Sequence, residues 1–374
     1  MDASGVRWQT RLWLIVALIV PLSPAAHAGE ARQNVLNVYA WADYFPKSVI
    51  QKFQAETGIH VHYTVFDSPD TAETTVSAGA SNYDIVTMNA VPHLGREIPQ
   101  GFWKLLDRAQ IPNAQNSDPD LLRFLKQVDP DNAHAVPWMW GTTGVIYNVD
   151  KAQGLLGGAI PANGLDLVLN RDTAAKFARC GIGLLDSWGD ILPMVARYLG
   201  QPRLSAEPAQ LEAVMKKLQE LRPFVRRISS SGYYEQLADG ELCLAIGYSG
   251  DAMIARRMAT EGNTRVKIEF AFPAGAVPLW ADSLVIPADS PNVAGALRFI
   301  NFVMRPEISA EVTRLIGFPS GNRAALPYLD PSIRDNVAIY PPASVRARFE
   351  TGRVYSAEEL RIFTRAWQRF STGQ

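Results

Sequence analysis

Residues 35–89 read VLNVYAWADYFPKSVIQKFQAETGIHVHYTVFDSPDTAETTVSAGASNYDIVTMN and carry the clearest fold signal in the chain. Three apolar runs predict β-strands: VLNVYAW (35–41), IHVHYTVF (59–66) and YDIVTMN (83–89). Between them, PKSVIQKFQAETG (46–58) and SPDTAETTVSAG (68–79) have the composition of helices, with a proline near each start and a glycine at each end. This βαβαβ order predicts a mostly parallel sheet with helices on both faces.

A second α/β unit follows further along the chain. Two short apolar strands, CGIGLLDS (180–187) and LCLAIGY (242–248), flank the amphipathic helix PAQLEAVMKKLQELRP (208–223). VKIEFAFPAG (266–275) and SLVIPADS (283–290) have strand character, residues 291–317 are helical, and SAEELRIFTRAWQRF (356–370) is an amphipathic helix. A chain of this length exceeds what one hydrophobic core usually supports, so two α/β domains are expected.

The first 28 residues have the pattern of a secretory signal peptide. Arg7 and Arg11 precede the nine apolar residues LWLIVALIV, and Ala26-His27-Ala28 forms an A-x-A cleavage site. Nine residues are too few to cross a bilayer, which needs about 20. We therefore expect cleavage after Ala28, a mature chain outside the cytoplasm, and no stable membrane insertion.

The mature chain would carry 34 basic and 36 acidic residues, a net charge of −2. This balance gives no reason to expect nucleic acid as a partner. The sequence contains no G-x-S-x-G, H-E-x-x-H, P-loop or glycine-rich dinucleotide turn. We therefore expect a protein that is not an enzyme and has no cofactor. We also expect it to be a monomer.

Two cysteines, Cys180 and Cys243, are the only ones in the chain. In an oxidising compartment such a pair favours a disulfide over two buried thiols. His60 and His62 lie on one face of a predicted strand, which is compatible with a metal site. The polar face of a strand is the simpler explanation, and no metal site is predicted.

Aromatic and carboxylate side chains recur just after or beside the predicted strands. Because ligands bind outside the carboxyl ends of strands in open parallel α/β sheets, these residues form the candidate binding site. A single aspartate after a strand is more often a helix N-cap and a single tryptophan is more often core, so the repetition carries the interpretation. The candidates are Trp41, Asp43, Tyr44, Asn89, Asp190, Tyr248, Asp251, Trp280, Asp282 and Phe318.

Aromatic faces and carboxylates with no interleaved Lys or Arg suit a cationic ligand. An ammonium gains about 0.5–2 kcal/mol over an aromatic face, and a carboxylate adds a charge-assisted hydrogen bond. Several carboxylates would repel one another in an empty site, so the ligand should carry more than one positive charge. A linear diamine or triamine with an apolar middle fits this description.

The sequence resembles the bacterial periplasmic polyamine-binding proteins, which are the putrescine and spermidine receptors of ATP-driven importers. The resemblance runs in order over essentially the whole mature chain. It rests on VYAWADYFP, FDSPDTAETTVSAG, YDIV, DPDN, AVPWMWGTTGVIYNVDK, LAIGYSGD, IYPPASVRARFE and TRAWQRF.

This resemblance implies the type II two-lobed fold, with an α/β sheet in each lobe and a ligand cleft between the lobes. It also implies delivery of the ligand to an inner-membrane ABC permease. The expected segments are 29–140 in lobe 1, 141–266 in lobe 2, 267–307 in lobe 1 and 308–374 in lobe 2. The two cysteines fall where relatives carry a pair.

Carried across by motif, the family's aromatic–Asp–aromatic element falls on Trp41, Asp43 and Tyr44. Asn89 stands where Ser is frequent and Asp190 where close relatives often have Glu. Three further motifs fall on Tyr248 with Asp251, on Trp280 with Asp282, and on Phe318. Tyr248 replaces a common Trp, Phe318 replaces a common Tyr, and Ala42 replaces a frequent Ser. These departures leave the preferred polyamine, putrescine or spermidine, open.

Three other functions compete with a polyamine receptor. A receptor of the same fold could take a sugar, an amino acid or an anion, although an anion site would require Arg or uncovered helix N-termini. A hydrolase could use two of the carboxylates, but they are spread over five chain segments, which favours a binding cage. A polyamine sensor that is not part of an importer would have the same sequence features.

Overall fold

The computed structural model describes Met1 and residues 34–42, 44–66, 69–79 and 81–373, with only the backbone of residues 69 and 70. Apart from Met1, the predicted signal peptide lies outside these residues, and so does Asp43. Within the described part of the chain, no helix combines the length and apolar character needed to cross a membrane.

Within the described residues, ten strands form one continuous, curled sheet in the order β2-β1-β3-β9-β4-β7-β5-β6, with β10 beside β9 and β8 beside β4. The strands are β1 (Val35–Trp41), β2 (His60–Phe66), β3 (Ile85–Asn89), β4 (Val136–Asn148), β5 (Ile182–Leu184), β6 (Val225–Ile228), β7 (Leu244–Tyr248), β8 (Ile268–Ala271), β9 (Val277–Val285) and β10 (Phe349–Thr351).

Sixteen α-helical segments flank the described strands, and short 3₁₀ or π turns occur elsewhere. The helices are α1 (Lys47–Thr57), α2 (Pro69–Ser77), α3 (Gly95–Glu97), α4 (Pro119–Leu125), α5 (Val149–Leu156), α6 (Asp166–Leu169), α7 (Arg171–Lys176), α8 (Trp188–Tyr198), α9 (Pro208–Leu221), α10 (Tyr233–Ala238), α11 (Ser249–Glu261), α12 (Val293–Val303), α13 (Pro306–Ile316), α14 (Pro331–Arg334), α15 (Ala343–Arg346) and α16 (Ala357–Thr372).

The opening βαβαβ run folds as the sequence predicts. β1 pairs in parallel with both β2 and β3, and α1 ends at Gly58, whose φ of 71° is the left-handed conformation that favours glycine. In the second unit, β5 likewise pairs in parallel with β6 and β7. The expected α/β fold is confirmed, with parallel strands in both halves of the sheet.

Two long strands make the sheet mixed, and sequence reasoning did not anticipate them. Every antiparallel pair among the described strands involves β4 or β9. β9 begins at Val277, so Trp280 and Asp282 lie within the strand, not beside one that starts at residue 283. β4 is buried along nearly its whole length and shows no alternation, which is the pattern of a strand covered on both faces.

Three hydrophobic clusters of the described residues define two lobes. We call lobe 1 the body around two adjacent cores, which include Trp138 and Val285, and lobe 2 the body around a core that includes Ile182 and Leu244. In lobe 1, Phe45 stacks on the fully buried Trp138 at a centroid distance of 5.2 Å. Each lobe therefore buries apolar surface of its own.

The chain crosses between the lobes at three places within the described residues. β4 pairs with β9 as far as Thr142 and with β7 from Thr143 onward. The second crossing is the 272–276 segment between β8 and β9, because β8 pairs with β4 in lobe 2. The third follows β10, which pairs with β9, and precedes Tyr355, which packs into the lobe 2 core.

The last crossing differs from the boundary expected at residue 308. That residue lies inside α13, whose buried Ile308, Val312 and Ile316 pack into the lobe 1 core. The helical run 291–317 breaks at Pro306, but both of its halves cover the same core. Residues 308–351 therefore stay with lobe 1, and α16 packs on lobe 2 through Phe363, among others.

A disulfide joins Cys180 to Cys243 across a separation of 63 residues, which confirms the predicted bond. Cys180 follows α7, and Cys243 immediately precedes β7. The bond therefore ties the helical edge of lobe 2 to the strand that ends at Tyr248.

Candidate functional site

Among the described residues, lobe 1 contributes one buried carboxylate to the region between the lobes, Asp282. Because β3 and β9 are antiparallel and pair Asn89 with Asp282, the end of β3 lies beside this carboxylate. Asn89 Nδ2 donates to its Oδ1 at 3.3 Å, and the Tyr44 hydroxyl donates to its Oδ2 at 2.6 Å. Burial raises the pKa of Asp282 to about 6, and these two hydrogen bonds act in the opposite direction.

Lobe 2 contributes Asp251, which lies in the first turn of α11 and is 6% exposed. The Tyr233 hydroxyl donates to its Oδ2. Burial raises the pKa of Asp251 to about 7, and the bond from Tyr233 lowers it. No separate turn lies between the strand and this carboxylate, because β7 ends at Tyr248 and α11 begins at the next residue.

Asp190, the third carboxylate, lies in the first turn of α8 after the N-cap Ser187. Its Oδ1 accepts a hydrogen bond from Thr143 Oγ1 at 2.9 Å, and its Oδ2 accepts from Ser187 Oγ at 2.7 Å and from Tyr248 Oη at 3.2 Å. Burial raises the pKa of Asp190, and these three hydrogen bonds lower it. A Trp at this position would lack the hydroxyl through which Tyr248 donates a hydrogen bond to Asp190.

Four aromatic rings lie among these carboxylates. Trp280 forms edge contacts with Tyr248 and Phe318 at centroid distances of 5.5 and 5.4 Å, and Phe318 is 6.4 Å from Tyr44. Tyr248 belongs to lobe 2 and the other three rings to lobe 1, so the cluster spans the lobes.

Two glycines make room for these rings. A Cβ on Gly141 would lie 2.4 Å from the Trp280 ring, and a Cβ on Gly250 would lie 2.3 Å from the Phe318 ring. Any larger residue would displace a ring, so the shape of the aromatic cluster depends on bare backbone at both positions.

The aromatic–Asp–aromatic motif is only partly described. Trp41 ends β1, packs on Phe66 at 5.0 Å, and provides a hydrogen bond that lowers the pKa of Asp282. Tyr44 is buried against the same carboxylate. Asp43 falls outside the described residues, so its position relative to Asp282 stays a prediction.

No Lys or Arg forms an ion pair with Asp190, Asp251 or Asp282 in the described part of the chain. Each of the three instead accepts a hydrogen bond from a tyrosine hydroxyl. Hydrogen bonds from neutral donors orient a carboxylate but leave its charge uncompensated. The site therefore holds uncompensated negative potential next to aromatic faces, an arrangement suited to a ligand with several positive charges.

A cavity of about 630 Å³ opens between the lobes beside Asp190. It is lined by α8 of lobe 2 and by the segment around β10, including Arg197 and Glu350. These two residues form an ion pair that joins the lobes across this opening. Of the three site carboxylates, Asp190 lines this cavity, and Asp251 and Asp282 do not.

Sequence reasoning missed three residues that orient the site carboxylates: Tyr233, Thr143 and Ser187. The S-x-x-D spacing of Ser187 and Asp190 is a capping signal that could have revealed one of them. Tyr233 lies 18 residues before Asp251, and Thr143 lies 47 residues before Asp190. Nothing local in the sequence links these two to their carboxylates.

Outside the binding region, the described residues contain no group of three His, Cys, Asp or Glu side chains that could hold a metal ion. His60 and His62 lie on β2, which is the edge strand of lobe 1.

Comparison with known proteins gives one consistent result. The sequence matches the family described as bacterial extracellular solute-binding protein over residues 48–341. It is 38% identical over 360 residues to the putrescine-binding periplasmic protein SpuD of Pseudomonas aeruginosa, covering 96% of this chain and 98% of the relative. It is 34% identical over 375 residues to the putrescine-binding periplasmic protein PotF of Escherichia coli, covering 100% of both.

A solved structure agrees at the level of the fold. The spermidine/putrescine ABC transporter substrate-binding protein PotD of Streptococcus pneumoniae superposes with a TM-score of 0.73 at 25% identity, covering 91% of this chain and 99% of that one. The resemblance to periplasmic polyamine-binding proteins drawn from the sequence motifs is confirmed by these relatives. The chain belongs to the bacterial extracellular solute-binding protein family.

Proposed function

We propose that this protein is a periplasmic polyamine receptor that captures putrescine or spermidine between its lobes and delivers it to an inner-membrane ABC permease. The observation that carries the proposal is the set of three carboxylates, Asp190, Asp251 and Asp282, which lie among aromatic rings with no Lys or Arg paired to them. Relatives that match over nearly the whole chain are named for putrescine, and this supports the same ligand class.

The ligand's ammonium groups supply the charge that the site lacks. Asp251 anchors one ammonium, because its buried carboxylate is held in the first turn of α11 by the Tyr233 hydroxyl and needs little ordering when the ligand arrives. The faces of Tyr248, Trp280 and Phe318 contact the methylene chain and the ammonium groups. Asn89 and Tyr44 orient Asp282 for the other end of the ligand.

Closure of the lobes completes the site. Asn89 and Asp282 are on lobe 1 strands, while Asp190 and Asp251 are on lobe 2 helices, so the ligand must contact both lobes. Three connecting segments can act as the hinge for such a motion. The closed, loaded form is the one that a permease would recognise.

The proposal also includes the absence of catalysis. Each of the three carboxylates is oriented by hydroxyl donors, and none is paired with a histidine or a second carboxylate in a hydrogen bond of the described residues. This arrangement holds a cation in place and provides no general base poised next to a nucleophile.

Titration calorimetry of the purified mature protein tests the function. Putrescine, spermidine and cadaverine represent the proposed class, arginine represents a cationic amino acid, and maltose represents a neutral sugar. We expect binding of at least one polyamine at low micromolar concentration or below, and no binding of maltose. Binding of maltose with no polyamine binding would overturn the proposal.

A further inference from the structure

Tyr233 lies beneath the end of β7 and makes two hydrogen bonds there. It is 1% exposed and belongs to the lobe 2 core. Its hydroxyl donates to Asp251 Oδ2 and accepts from the Tyr248 backbone N–H at 3.1 Å. One phenol oxygen thus joins the last residue of the strand to the carboxylate three residues later.

The backbone next to the Tyr233 hydroxyl carries a glycine, Gly247, which leaves space for it. A Cβ on Gly247 would lie 2.5 Å from the Tyr233 hydroxyl oxygen, closer than real contacts allow. Glycine at this position lets the oxygen approach the strand closely enough to reach both partners. Side chain and backbone therefore fit each other at this point.

We propose that Tyr233 is a positioning residue of the binding site, which holds the Asp251 carboxylate and the Tyr248 backbone in the arrangement that receives an ammonium. The inference rests on the proposed function, since it concerns the same site. Tyr233 itself does not touch the ligand. It acts through Asp251 and Tyr248, which form the lobe 2 wall.

The role includes the charge of Asp251 as well as its orientation. The charged or titratable groups around this carboxylate are Tyr233 and Glu235 on α10, Tyr248 at the end of β7, and Tyr44 from lobe 1. Of these, Tyr233 stabilises the ionised carboxylate, and Glu235 opposes ionisation. Without the hydroxyl, burial would raise the pKa of Asp251 further, so its carboxyl group would stay protonated up to a higher pH.

Tyr233→Phe tests the proposal, because it removes one oxygen atom and keeps the ring in the core. The affinity for putrescine and for spermidine is measured by calorimetry at several pH values between 5.5 and 9. We expect affinity to fall by about tenfold or more at pH 8, as for a lost hydrogen bond to a charged group. We also expect the acid-side loss of affinity to begin at a higher pH than in the wild type.

Tyr198→Phe is the matched control. Tyr198 also lies in lobe 2, and its hydroxyl donates to a carboxylate, Asp166 Oδ1, at 2.8 Å. This control removes the same kind of hydrogen bond outside the aromatic cluster. We expect it to change thermal stability modestly and to leave both the affinity and its pH profile at wild-type values.

The outcomes separate the inference from the function on which it rests. If the wild type binds no polyamine, the proposed function fails. If the wild type binds and Tyr233→Phe keeps its affinity and pH profile, Tyr233 is only a core residue and the inference is overturned. Equal effects of Tyr233→Phe and Tyr198→Phe on affinity would also overturn it, because the loss would then reflect general weakening of lobe 2.

Discussion

Replacing Asp251 by Asn separates the charge of this proposed anchor from its shape. The amide has nearly the same volume, and its oxygen can still accept the hydrogen bond from Tyr233. The substitution therefore removes the negative charge with little change in packing. Binding and stability should respond in opposite directions.

The loss of affinity follows from leaving a desolvated ammonium without its counter-ion. Removing one partner of a buried charge pair typically costs about 2–5 kcal/mol, which corresponds to a weakening of roughly 30-fold to several thousand-fold. Asp282 and Asp190 remain, so we expect weaker binding and not its complete loss at high ligand concentration.

The gain in stability follows from the burial of the carboxylate. Burial raises the pKa of Asp251 from 3.8 to about 7, so the empty protein at pH 8 holds an ionised group in a place that disfavours its charge. A difference of about three pKa units corresponds to up to about 4 kcal/mol of destabilisation. Asp251→Asn should recover part of this free energy at pH 8 and less of it at pH 5, where the folded-state carboxyl is protonated and only the ionisation of the unfolded chain above pH 3.8 still contributes.

Calorimetry with putrescine and urea denaturation of the ligand-free protein, each at pH 8 and pH 5, measure the two effects. Asp166→Asn is the matched control, because Asp166 also accepts a tyrosine hydrogen bond in lobe 2 but lies outside the aromatic cluster. Wild-type affinity in a folded Asp251→Asn protein would refute the assignment of this carboxylate to the site. A variant less stable than wild type at pH 8 would refute the argument from burial.

Four further results are expected. Polyamine affinity should fall as the pH drops from 8 to 5, because Asp251 and Asp282 have pKa values raised to about 7 and about 6 and bind an ammonium only when ionised. The ligand-free protein should become more stable over the same pH range, because protonation favours the folded state when the folded pKa lies above the unfolded one. Reducing the disulfide, which closes a loop of 63 residues, should lower the free energy of unfolding by about 4 kcal/mol in urea titrations, whereas an unchanged midpoint would contradict this. Glu350→Gln removes the exposed ion pair with Arg197 between the lobes and should weaken polyamine binding by less than about fivefold. In 1 M salt the variant and the wild type should bind equally well, because salt screens the ion pair. Small-angle scattering should give a smaller radius of gyration at saturating polyamine, and an equal radius at full occupancy would argue against closure.

The sequence alone determined the local elements and the chemical character of the site. Apolar runs such as residues 35–41 predict strands because their side chains must be buried, and the glycine at 58 ends a helix because it adopts positive φ at low cost. The repeated aromatic and acidic residues after strands predicted a cationic ligand before any contact was known. In the structure, Asp282 accepts hydrogen bonds from Tyr44 and Asn89, and the Phe318 ring lies near those of Tyr44 and Trp280, with Trp280 also contacting Tyr248.

Tertiary structure decided which segments join the lobes and which groups orient the carboxylates. β4 has no alternating pattern because both of its faces are buried, and its crossing at Thr142 and Thr143 depends on which strand pairs with each half. The pairing of Tyr233 with Asp251 likewise depends on α10 packing beneath the end of β7. A buried carboxylate needs a hydrogen-bond donor, and many polar side chains elsewhere in the chain could provide one. Local sequence therefore indicates that a donor is needed, but long-range packing decides which residue it is.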